Sequence, residues 1–451
     1  MDRTNGRSSI ALLAHGPGDA VARWRGRDVS REQFLACVTG LAVRLPVRGQ
    51  VINLCDDRFT FMVAFAAAMV AGQTTLLPPS RALAAIGEIA EAHEGAYCVV
   101  DRAMPSLELE QHEATPGPLE APAPALAVPE IAADLLAAVA FTSGSTGAPR
   151  GNPKYWGDLV TGAQLADRRF SVSARRPGTI VATIPPQHMY GLEVSIMMPL
   201  VTGMRVHGGL PFYPEDVRRA LESVPAPRIL YTTPTHLRAC IEAGLDWPEV
   251  SLVVSATAPL SAALARRAEE GLGTRVMEIY GCTEAGSMAS RRTLDGERWR
   301  LYDGLSFEVH DGAALVRGGH VRDPVELNDF IEVEDDGTFR LLGRHSDLVN
   351  IAGNRASLSD LNLKLNAIEG VRDGVFVVRD EPDDESVARL AALVVAPDAD
   401  VKQILAELAR VMNPVFLPRP IFKVERLPRN AVGKLPREEL VALLEELERR
   451  R

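Results

Sequence analysis

Residues 141–154 read FTSGSTGAPRGNPK, a stretch rich in glycine and hydroxyl side chains that also carries two cations. It follows the apolar run Leu135–Phe141, which is typical of a strand. A Gly/Ser/Thr loop at the end of a strand can direct several backbone N–H groups into one concavity, which is how many proteins hold phosphates. The stretch lacks the G-K-[ST] ending of a Walker loop. Its composition alone therefore allows either a phosphate loop of another kind or a flexible surface connection.

The whole chain has the composition of an ordinary globular protein that is long enough for two domains. Of its 451 residues, 46% are hydrophobic and 24% are charged, and the formal net charge is −10. Such an acidic chain is not expected to bind nucleic acid, although local cations still allow an anionic small ligand. The N-terminus has no signal-peptide core, and the longest apolar run, Phe61–Ala71, is too short to span a bilayer. The five scattered cysteines include no C-x-x-C pair, so we expect a cytoplasmic protein without a disulfide frame or a zinc site.

Strand-like and helix-like segments alternate along the first part of the chain. A helix is predicted after Ser30, a candidate N-cap with Gln33 at the capping-box position. The β-α-β alternation that follows predicts mostly parallel sheets covered by helices. Further apolar runs predict strands at Ile180–Ile184, Arg228–Tyr231, Leu252–Val254 and Val276–Ile279. Ligands of such sheets gather beyond the carboxyl ends of the strands, so the residues after these runs are candidates for a binding site.

A second, smaller unit is predicted from about Gly343. Its predicted elements are a helix near Leu358–Ile368, strands at Gly374–Arg379 and Arg389–Val395, a helix at Val401–Met412 and a closing helix from Glu438. We therefore predict an α/β protein with a large N-terminal domain of helix-covered, mostly parallel sheets over residues 1–342. A small α+β C-terminal domain is predicted over residues 343–451, a usual size for a domain.

Several further stretches, in order along the chain, match the motifs of one enzyme superfamily. They are PPQHMYG at 185–191, SATAPL at 255–260, YGCTE at 280–284, Asp329 with GRHSD at 343–347, and PRNAVGKLPR at 428–437. Together with residues 141–154 they resemble the adenylate-forming (AMP-binding) superfamily of acyl- and aryl-CoA synthetases, luciferases and peptide-synthetase adenylation domains. The resemblance runs from about residue 20 to residue 443. One such motif is weak evidence, whereas six in the right order are strong.

The resemblance implies an ATP-dependent acid–thiol ligase that forms an acyl- or aryl-adenylate and then a thioester. Two anions, the acid and the α-phosphate of ATP, must meet in the first step, so the site needs positive charge and fixed donors. By resemblance, the nucleotide is bound by Thr142, Ser143, Gly144, Ser145, Thr146, Gly147, Arg150, Ala256, Thr257, Ala258, Tyr280, Gly281, Cys282, Asp329 and Arg344. Arg150 stands where the family usually has lysine, and it keeps the charge.

Five residues have specific expected roles by the same resemblance. Lys434 bridges the carboxylate and the α-phosphate, and Glu284 holds Mg²⁺, which commonly sits between a carboxylate and substrate phosphates. Thr283 bonds phosphate oxygens. Tyr280 lies on the adenine ring, and Asp329 accepts hydrogen bonds from the ribose hydroxyls. Taken alone, a loop lysine is usually solvated and a tyrosine at a strand end is often part of the core, so these roles depend on the motif context.

The acid side and the hinge are expected at three further places. His188 matches a histidine that lines the acid pocket and gates the thiol, although a lone histidine before an apolar helix is more often simply packed. Tyr190 and Gly191 are expected to face the tail of the acid. Ser346 falls at the hinge about which the small domain would rotate between the two steps. The family usually has Asp or Lys at that hinge.

The acid and the acceptor remain open at this point. The His188–Leu192 segment resembles that of hydroxycinnamate and other aryl-CoA ligases, and the short chain resembles synthetases of aryl-polyene (xanthomonadin-like) pathways. We therefore favour an aromatic, hydroxybenzoate-like acid over a medium-chain fatty acid. The acceptor is either CoA or the phosphopantetheine of an acyl carrier protein. Two alternatives are an amino-acid adenylation enzyme, which usually needs an Asp where this chain has Tyr190 but could use Glu193, and a catalytically silent binding partner.

Overall fold

Two large mixed sheets carry most of the chain in the computed structural model. It describes residues 8–116, 126–143, 149–170, 177–310, 313–344, 347–351, 354–379, 389–430 and 433–450. The strands are β1 Ser9–Ala11, β2 Ala20–Trp24, β3 Arg27–Ser30, β4 Gln50–Asn53, β5 Thr74–Leu77, β6 Tyr97–Val100, β7 Gln111–Glu113, β8 Glu130–Ala132, β9 Leu136–Ser143, β10 Pro149–Tyr155, β11 Thr179–Ala182, β12 Arg205–His207, β13 Arg228–Thr232, β14 Leu252–Ser255, β15 Val276–Cys282, β16 Gly286–Arg292, β17 Trp299–Leu301, β18 Leu305–His310, β19 Ala313–Gly318, β20 Val321–Leu327, β21 Asp329–Val333, β22 Thr338–Arg344, β23 Leu348–Ile351, β24 Asn354–Ser357, β25 Asp373–Arg379, β26 Arg389–Val395 and β27 Ile421–Lys423. The helices are α1 Arg31–Ala42, α2 Arg58–Val70, α3 Leu83–Ala92, α4 Trp156–Phe170, α5 Met189–Leu192, α6 Met198–Thr202, α7 Pro214–Glu222, α8 Pro234–Glu242, α9 Ala262–Leu272, α10 Leu358–Asn366, α11 Val401–Val411 and α12 Arg437–Arg449.

The larger sheet has a parallel centre and antiparallel ends. Its order is β21-β22-β17-β16-β15-β14-β13-β11-β12-β2-β3, and the six strands from β15 to β2 run parallel. The second sheet has the order β10-β9-β5-β4-β6-β7 and is parallel except for the β9–β10 hairpin. The prediction of an α/β protein with mostly parallel sheets and a smaller C-terminal domain is thereby confirmed.

Local sequence explains how the first helices form. Ser30 Oγ accepts from the Gln33 backbone N–H at 3.3 Å, and Gln33 Oε1 accepts from the Ser30 N–H at 2.9 Å, so the predicted capping box begins α1. Asp57 caps α2 by accepting from the Thr60 N–H at 2.9 Å. Helix α2 is buried from Arg58 to Met69, and burial of each of its phenylalanine side chains contributes about 2 kcal/mol.

The C-terminal elements form a small sheet with its own core. Strands β25, β26 and β27 pair with one another, and their side chains pack against helices α10, α11 and α12. Strand β26 has the predicted bounds, and the three helices lie within two residues of the predicted ones where bounds were given. The proposed boundary at residue 343 lies inside β22, one residue before that strand ends. No helix among the described residues combines the length and the hydropathy that a membrane crossing requires.

Candidate active site

The carboxyl ends of four neighbouring parallel strands bring the predicted motifs together. Strands β15, β14, β13 and β11 are adjacent in the larger sheet and run in the same direction. The residues that follow them are Thr283–Glu284, Ala256–Ala258, Thr233 at the start of α8, and the 185–188 segment with His188. Motifs that are far apart in sequence therefore meet at one edge of the sheet, where ligands of such sheets bind.

The turn after β14 contains an unusual backbone conformation. Thr257 has a φ of +79°, in the left-handed region that β-branched residues rarely adopt. Such conformations cost free energy and cluster where a ligand is held. The next strand supports this turn, because Glu278 Oε1 on β15 accepts from the Leu260 N–H at 2.9 Å. The strained turn at residues 256–258 fits the predicted nucleotide contact.

The predicted adenine and ribose residues are hydrogen-bonded to each other. The Tyr280 hydroxyl donates to Asp329 Oδ2 at 2.9 Å. Tyr280 is only 8% exposed. Its ring centroid lies 5.8 Å from that of Trp299 and 5.9 Å from that of Phe339. The backbone of Arg344 pairs with Asp329 in the β21–β22 hairpin, whereas the Arg344 side chain lies outside the described part of the chain. Tyr280 is therefore part of the core, and its hydroxyl is bonded to Asp329, the residue predicted to bind the ribose.

Thr283 and Glu284 occupy the tight turn of the β15–β16 hairpin. At Gly281, a Cβ atom would meet the Gly286 carbonyl oxygen at 2.4 Å, so the close approach of the two strands requires glycine. The Ala285 N–H donates to Cys282 Sγ at 3.4 Å, and burial raises the pKa of this thiol to about 12. Cys282 thus acts as a neutral partner that shapes the turn, and its thiolate is not available as a nucleophile near neutral pH.

The lysine loop of the small domain lies against the start of α8. Gly433 has a φ of +77°, and a Cβ atom there would be 3.1 Å from Thr235 Oγ1. The Lys434 N–H donates to Asn430 Oδ1 at 2.9 Å, and the Asn430 N–H donates to the Lys434 carbonyl oxygen, also at 2.9 Å. Arg429 supports the loop through two 2.7 Å hydrogen bonds to Asp373. The described part of this loop, residues 428–430 and 433–437, is therefore held together by these bonds, and Gly433 lies beside Thr233.

Lys434 and His188 come from different domains but lie close enough to interact. Burial, together with the smaller effect of the Lys434 charge, lowers the pKa of His188 to about 3. The imidazole is consequently neutral at neutral pH. Its Nδ1 is buried and makes no hydrogen bond within the described residues. The site thus combines the Lys434 cation of the small C-terminal domain with the neutral His188 of the large domain.

The residues predicted to face the acid tail are tightly packed. The Tyr190 hydroxyl donates to the Val254 carbonyl oxygen at 3.0 Å, and its ring centroid lies 6.3 Å from that of Tyr231. At Gly191, a Cβ atom would meet the Pro185 carbonyl oxygen at 2.0 Å. Glycine is needed here because α5 packs directly on the backbone of the preceding segment. Packing therefore explains Gly191, and any contact of these two residues with an acid stays a prediction.

The predicted phosphate loop is described only at its flanks. Thr142 and Arg150 face each other across the β9–β10 hairpin, where Thr142 Oγ1 lies 3.5 Å from the Arg150 carbonyl oxygen. The Arg150 side chain is exposed. Gly144, Ser145, Thr146 and Gly147, the Ser143 side chain and the hinge residue Ser346 lie outside the described residues. Their proposed roles remain predictions.

Two charged residues that were not predicted to act on the nucleotide contact the β15–β16 turn. Lys154 Nζ on β10 donates to the Glu284 carbonyl oxygen at 2.7 Å. Glu193 Oε1, one turn after Tyr190, accepts from the Ser287 N–H at 2.9 Å, and Glu193 Oε2 accepts from the Ser287 hydroxyl. The sequence offered one signal for the role of Lys154, namely a lysine in the strand-like segment that follows the glycine-rich loop.

The chemistry of the turn fits a magnesium ion that is shared with phosphates. The described residues contain no group of three or more His, Cys, Asp and Glu side chains suited to a metal ion. Mg²⁺ does not need such a cage, because it commonly takes one or two protein carboxylates and completes its shell with phosphates and water. The Glu284 carboxylate, at the tip of the hairpin turn, is of the type required.

Comparison with known proteins agrees with this arrangement. A family model described as AMP-binding enzyme matches residues 17–311. A probable 2-succinylbenzoate–CoA ligase of Mycobacterium tuberculosis is 28% identical over 361 residues, covering 73% of this chain and 88% of that protein. A 4-coumarate–CoA ligase of Halorhodospira halophila is 26% identical over 301 residues, covering 65% of this chain and 73% of that protein.

Solved structures share the fold over nearly the whole chain. ATP-bound MatB from Rhodopseudomonas palustris has a TM-score of 0.80 at 20% identity, covering 96% of this chain and 97% of that chain. The o-succinylbenzoate CoA synthetase of Bacillus subtilis with its acyl-adenylate intermediate has a TM-score of 0.80 at 16% identity, covering 95% and 98%. Because the family model spans more than half of the sequence, the chain belongs to the family of AMP-binding enzymes.

Proposed function

We propose that this AMP-forming acid–thiol ligase activates an aromatic, hydroxybenzoate-like acid and transfers it to a thiol. The thiol is that of CoA or of a carrier-protein phosphopantetheine. The observation that carries the proposal is the packing of the lysine loop against the start of α8. Lys434 of this loop is close enough to lower the pKa of His188, which lies at the carboxyl ends of the parallel strands. A cation in this position supports the proposal, because the meeting of a carboxylate with an α-phosphate requires positive charge.

In the first step, a carboxylate oxygen attacks the α-phosphorus and the bond to pyrophosphate breaks. Lys434 offsets the repulsion between the two anions and stabilises the charge that builds on the transferring phosphate. Thr283 donates to phosphate oxygens, and Glu284 is the carboxylate that would hold Mg²⁺. When bound, Mg²⁺ would neutralise part of the phosphate charge. Asp329, already bonded by Tyr280, has a second oxygen that can accept from a ribose hydroxyl.

In the second step, a thiol sulfur attacks the acyl carbon, and the bond from that carbon to the phosphate oxygen of AMP breaks. AMP leaves, and the thiol proton passes to the solvent. Lys434 would no longer be needed, and its loop would have to leave Thr235 for the thiol to approach. His188 is neutral near neutral pH, so the approaching thiol meets no charge on this imidazole. We assign this histidine to the boundary between the acid and the incoming thiol.

Two observations support an aromatic acid. The relatives described above are a probable 2-succinylbenzoate–CoA ligase and a 4-coumarate–CoA ligase, both of which are named for aromatic acids. The His188–Leu192 segment also resembles that of hydroxycinnamate and other aryl-CoA ligases. A medium-chain fatty acid remains the rival acyl group.

An amino-acid substrate is less well supported. It would need a carboxylate for its α-ammonium group, and Glu193 is the candidate on this segment. Both Glu193 oxygens already accept hydrogen bonds from Ser287, and the Lys154 cation lies nearby. An ammonium group would have to compete with these partners.

The test is acid-dependent pyrophosphate release from ATP and Mg²⁺, with hydroxylamine present to trap any adenylate. The panel should include hydroxybenzoates, cinnamates, fatty acids of increasing length and amino acids. Release that is greatest with hydroxybenzoates or cinnamates is expected. Release only with fatty acids or amino acids would overturn the aromatic assignment.

The acceptor is tested with the same acid. CoA and a phosphopantetheinylated carrier protein should be compared at equal thiol concentration, with thioester formation as the readout.

The pyrophosphate assay also tests the catalytically silent alternative. If folded protein binds ATP but releases no pyrophosphate with any acid, that alternative is supported.

A further inference from the structure

The hairpin turn that carries Thr283 and Glu284 is held from two sides, by Lys154 and by Glu193. On one side, Lys154 Nζ bonds the Glu284 carbonyl oxygen at 2.7 Å. On the other side, Glu193 Oε1 accepts from the Ser287 N–H at 2.9 Å. At Gly286, a Cβ atom would lie 2.6 Å from Glu193 Oε1, so the carboxylate fits directly against the backbone of the turn. The turn is thus fixed both before and after Gly286.

Lys154 is buried, so its charged form is unfavourable unless the ammonium group has hydrogen-bond or ionic partners. Its exposed fraction is 8%, and burial lowers its pKa, which the nearby carboxylates of Glu193 and Glu284 oppose. A buried cation without partners is strongly unfavourable, so a lysine at this position depends on these contacts.

The strand that carries Lys154 also starts at the predicted phosphate loop. Strand β10 begins at Pro149, directly after residues 144–148, and Lys154 lies five residues further along. The bond to the Glu284 carbonyl oxygen is therefore a direct link between the strand that leaves the glycine-rich loop and the turn that carries Glu284. A link of this kind can fix the two phosphate-contacting segments relative to each other.

We propose that Lys154, supported by Glu193, is a positioning residue that holds the Glu284 carboxylate in place for the metal–nucleotide. This inference rests on the proposed function and on the proposed role of Glu284. Lys154 touches neither acid nor nucleotide and acts only through the Glu284 backbone. Its removal therefore affects metal-dependent binding of ATP more than metal-independent binding.

The experiment compares calorimetric binding of ATP in the presence of Mg²⁺ with binding of ATP in the presence of EDTA. Lys154→Met removes the donor and the charge while keeping most of the side-chain volume. We expect it to weaken Mg·ATP binding by roughly 10-fold or more, the usual cost of losing a group that orients a metal ligand. Metal-free ATP should bind nearly as in the wild type. Lys154→Arg, which keeps a charged donor, should restore much of the Mg²⁺-dependent affinity.

The matched control is Lys423→Met in the small domain. Lys423 Nζ also donates to two backbone carbonyl oxygens, those of Pro397 at 3.3 Å and Ala399 at 3.0 Å, but far from the turn in sequence. This control should leave both affinities unchanged. If Lys154→Met does not fold, the double variant Lys154→Met/Glu193→Gln removes both charges and avoids an unpaired buried carboxylate.

The outcomes separate this inference from the proposed function. Equal loss of both affinities, or no loss of either, in Lys154→Met overturns the positioning role. Either of these results leaves the proposed function standing, provided that the wild-type protein binds Mg·ATP and releases pyrophosphate with an acid. If wild-type protein binds no ATP, the proposed function and this inference fall together.

Discussion

At the scale of single residues, the proposed chemistry depends on where Lys434 is held. Its side chain is exposed, as most loop lysines are, yet its charge acts on the partly buried His188 of the other domain. The backbone N–H and C=O groups of Lys434 both bond to Asn430, so the loop conformation that presents the cation is specified by its own sequence. An exposed lysine with a fixed backbone can reach a substrate without the desolvation cost of burial.

Lys434→Ala should abolish most adenylate formation while leaving the fold intact. Removing a cation that stabilises charge in the transition state should lower the rate by roughly 100-fold or more. Acid-dependent pyrophosphate exchange measures this step, and thermal unfolding checks the fold. Lys402→Ala, an exposed lysine on α11 of the same domain, is the control and should exchange normally. Full activity of Lys434→Ala would remove this lysine from the mechanism.

Buried histidines should make the protein acid-sensitive. Burial lowers the pKa of His15 from 6.5 to about 4, and His15 is only 4% exposed. The unfolded chain then binds more protons than the folded one between these values, so stability falls as pH decreases through that window. Between pH 7 and pH 5, His15 alone should cost about 2 kcal/mol.

His15→Gln tests this effect. Glutamine can still donate to the Met204 carbonyl oxygen, which His15 Nε2 contacts at 3.1 Å, but it does not titrate. Urea unfolding at the two pH values should show a smaller loss of stability in the variant than in the wild type. An identical loss in both proteins would show that His15 does not contribute.

At the scale of secondary-structure elements, most of the fold is predictable because its signals are local. The capping box at Ser30 and Gln33 begins a helix as predicted, and β26 has its predicted bounds. The contacts within the site are not local. The bond from Lys154 to the Glu284 carbonyl oxygen joins residues 130 positions apart, and no periodicity encodes it. The positive φ of Thr257 also has no sequence signal, since Gly or Asn usually occupies such turns.

The docking of the lysine loop on α8 depends on a glycine. Gly433→Ala would introduce a Cβ atom in a left-handed conformation, 3.1 Å from Thr235 Oγ1. The conformational strain is about 1–2 kcal/mol, which should lower adenylation by roughly 5- to 30-fold. Thioester formation from supplied acyl-adenylate should stay near the wild-type rate, because that step does not need the docked loop.

A second glycine provides the control for backbone strain. Gly337, in the β21–β22 hairpin, has a φ of +76°, and a Cβ atom there would meet no other atom within 4 Å. Gly337→Ala should therefore carry similar strain without disturbing the loop on α8, and adenylation should be retained. Equal loss of adenylation in both variants would mean that global destabilisation, not docking, explains the effect.

At the scale of the whole molecule, the small domain contacts the large one through its lysine loop. The lysine loop rests on the N-terminal end of α8, and Asp373 of the small domain opposes the effect of burial on the pKa of Arg238, a residue of α8. Under the proposed function, the docked loop would also lie in the path of the thiol. We therefore propose that the small domain moves between the two steps.

Ser346→Pro tests whether that movement turns about the predicted hinge. Proline restricts the backbone of residue 346 and of the residue before it, so it should slow the rotation but not the docked state. Pyrophosphate exchange should be near the wild-type rate, whereas thioester formation from supplied acyl-adenylate should be slower. Ser346→Ala keeps the backbone free and should leave both steps unchanged. Equal loss of both steps in Ser346→Pro, with a normal unfolding temperature, would move the hinge away from residue 346.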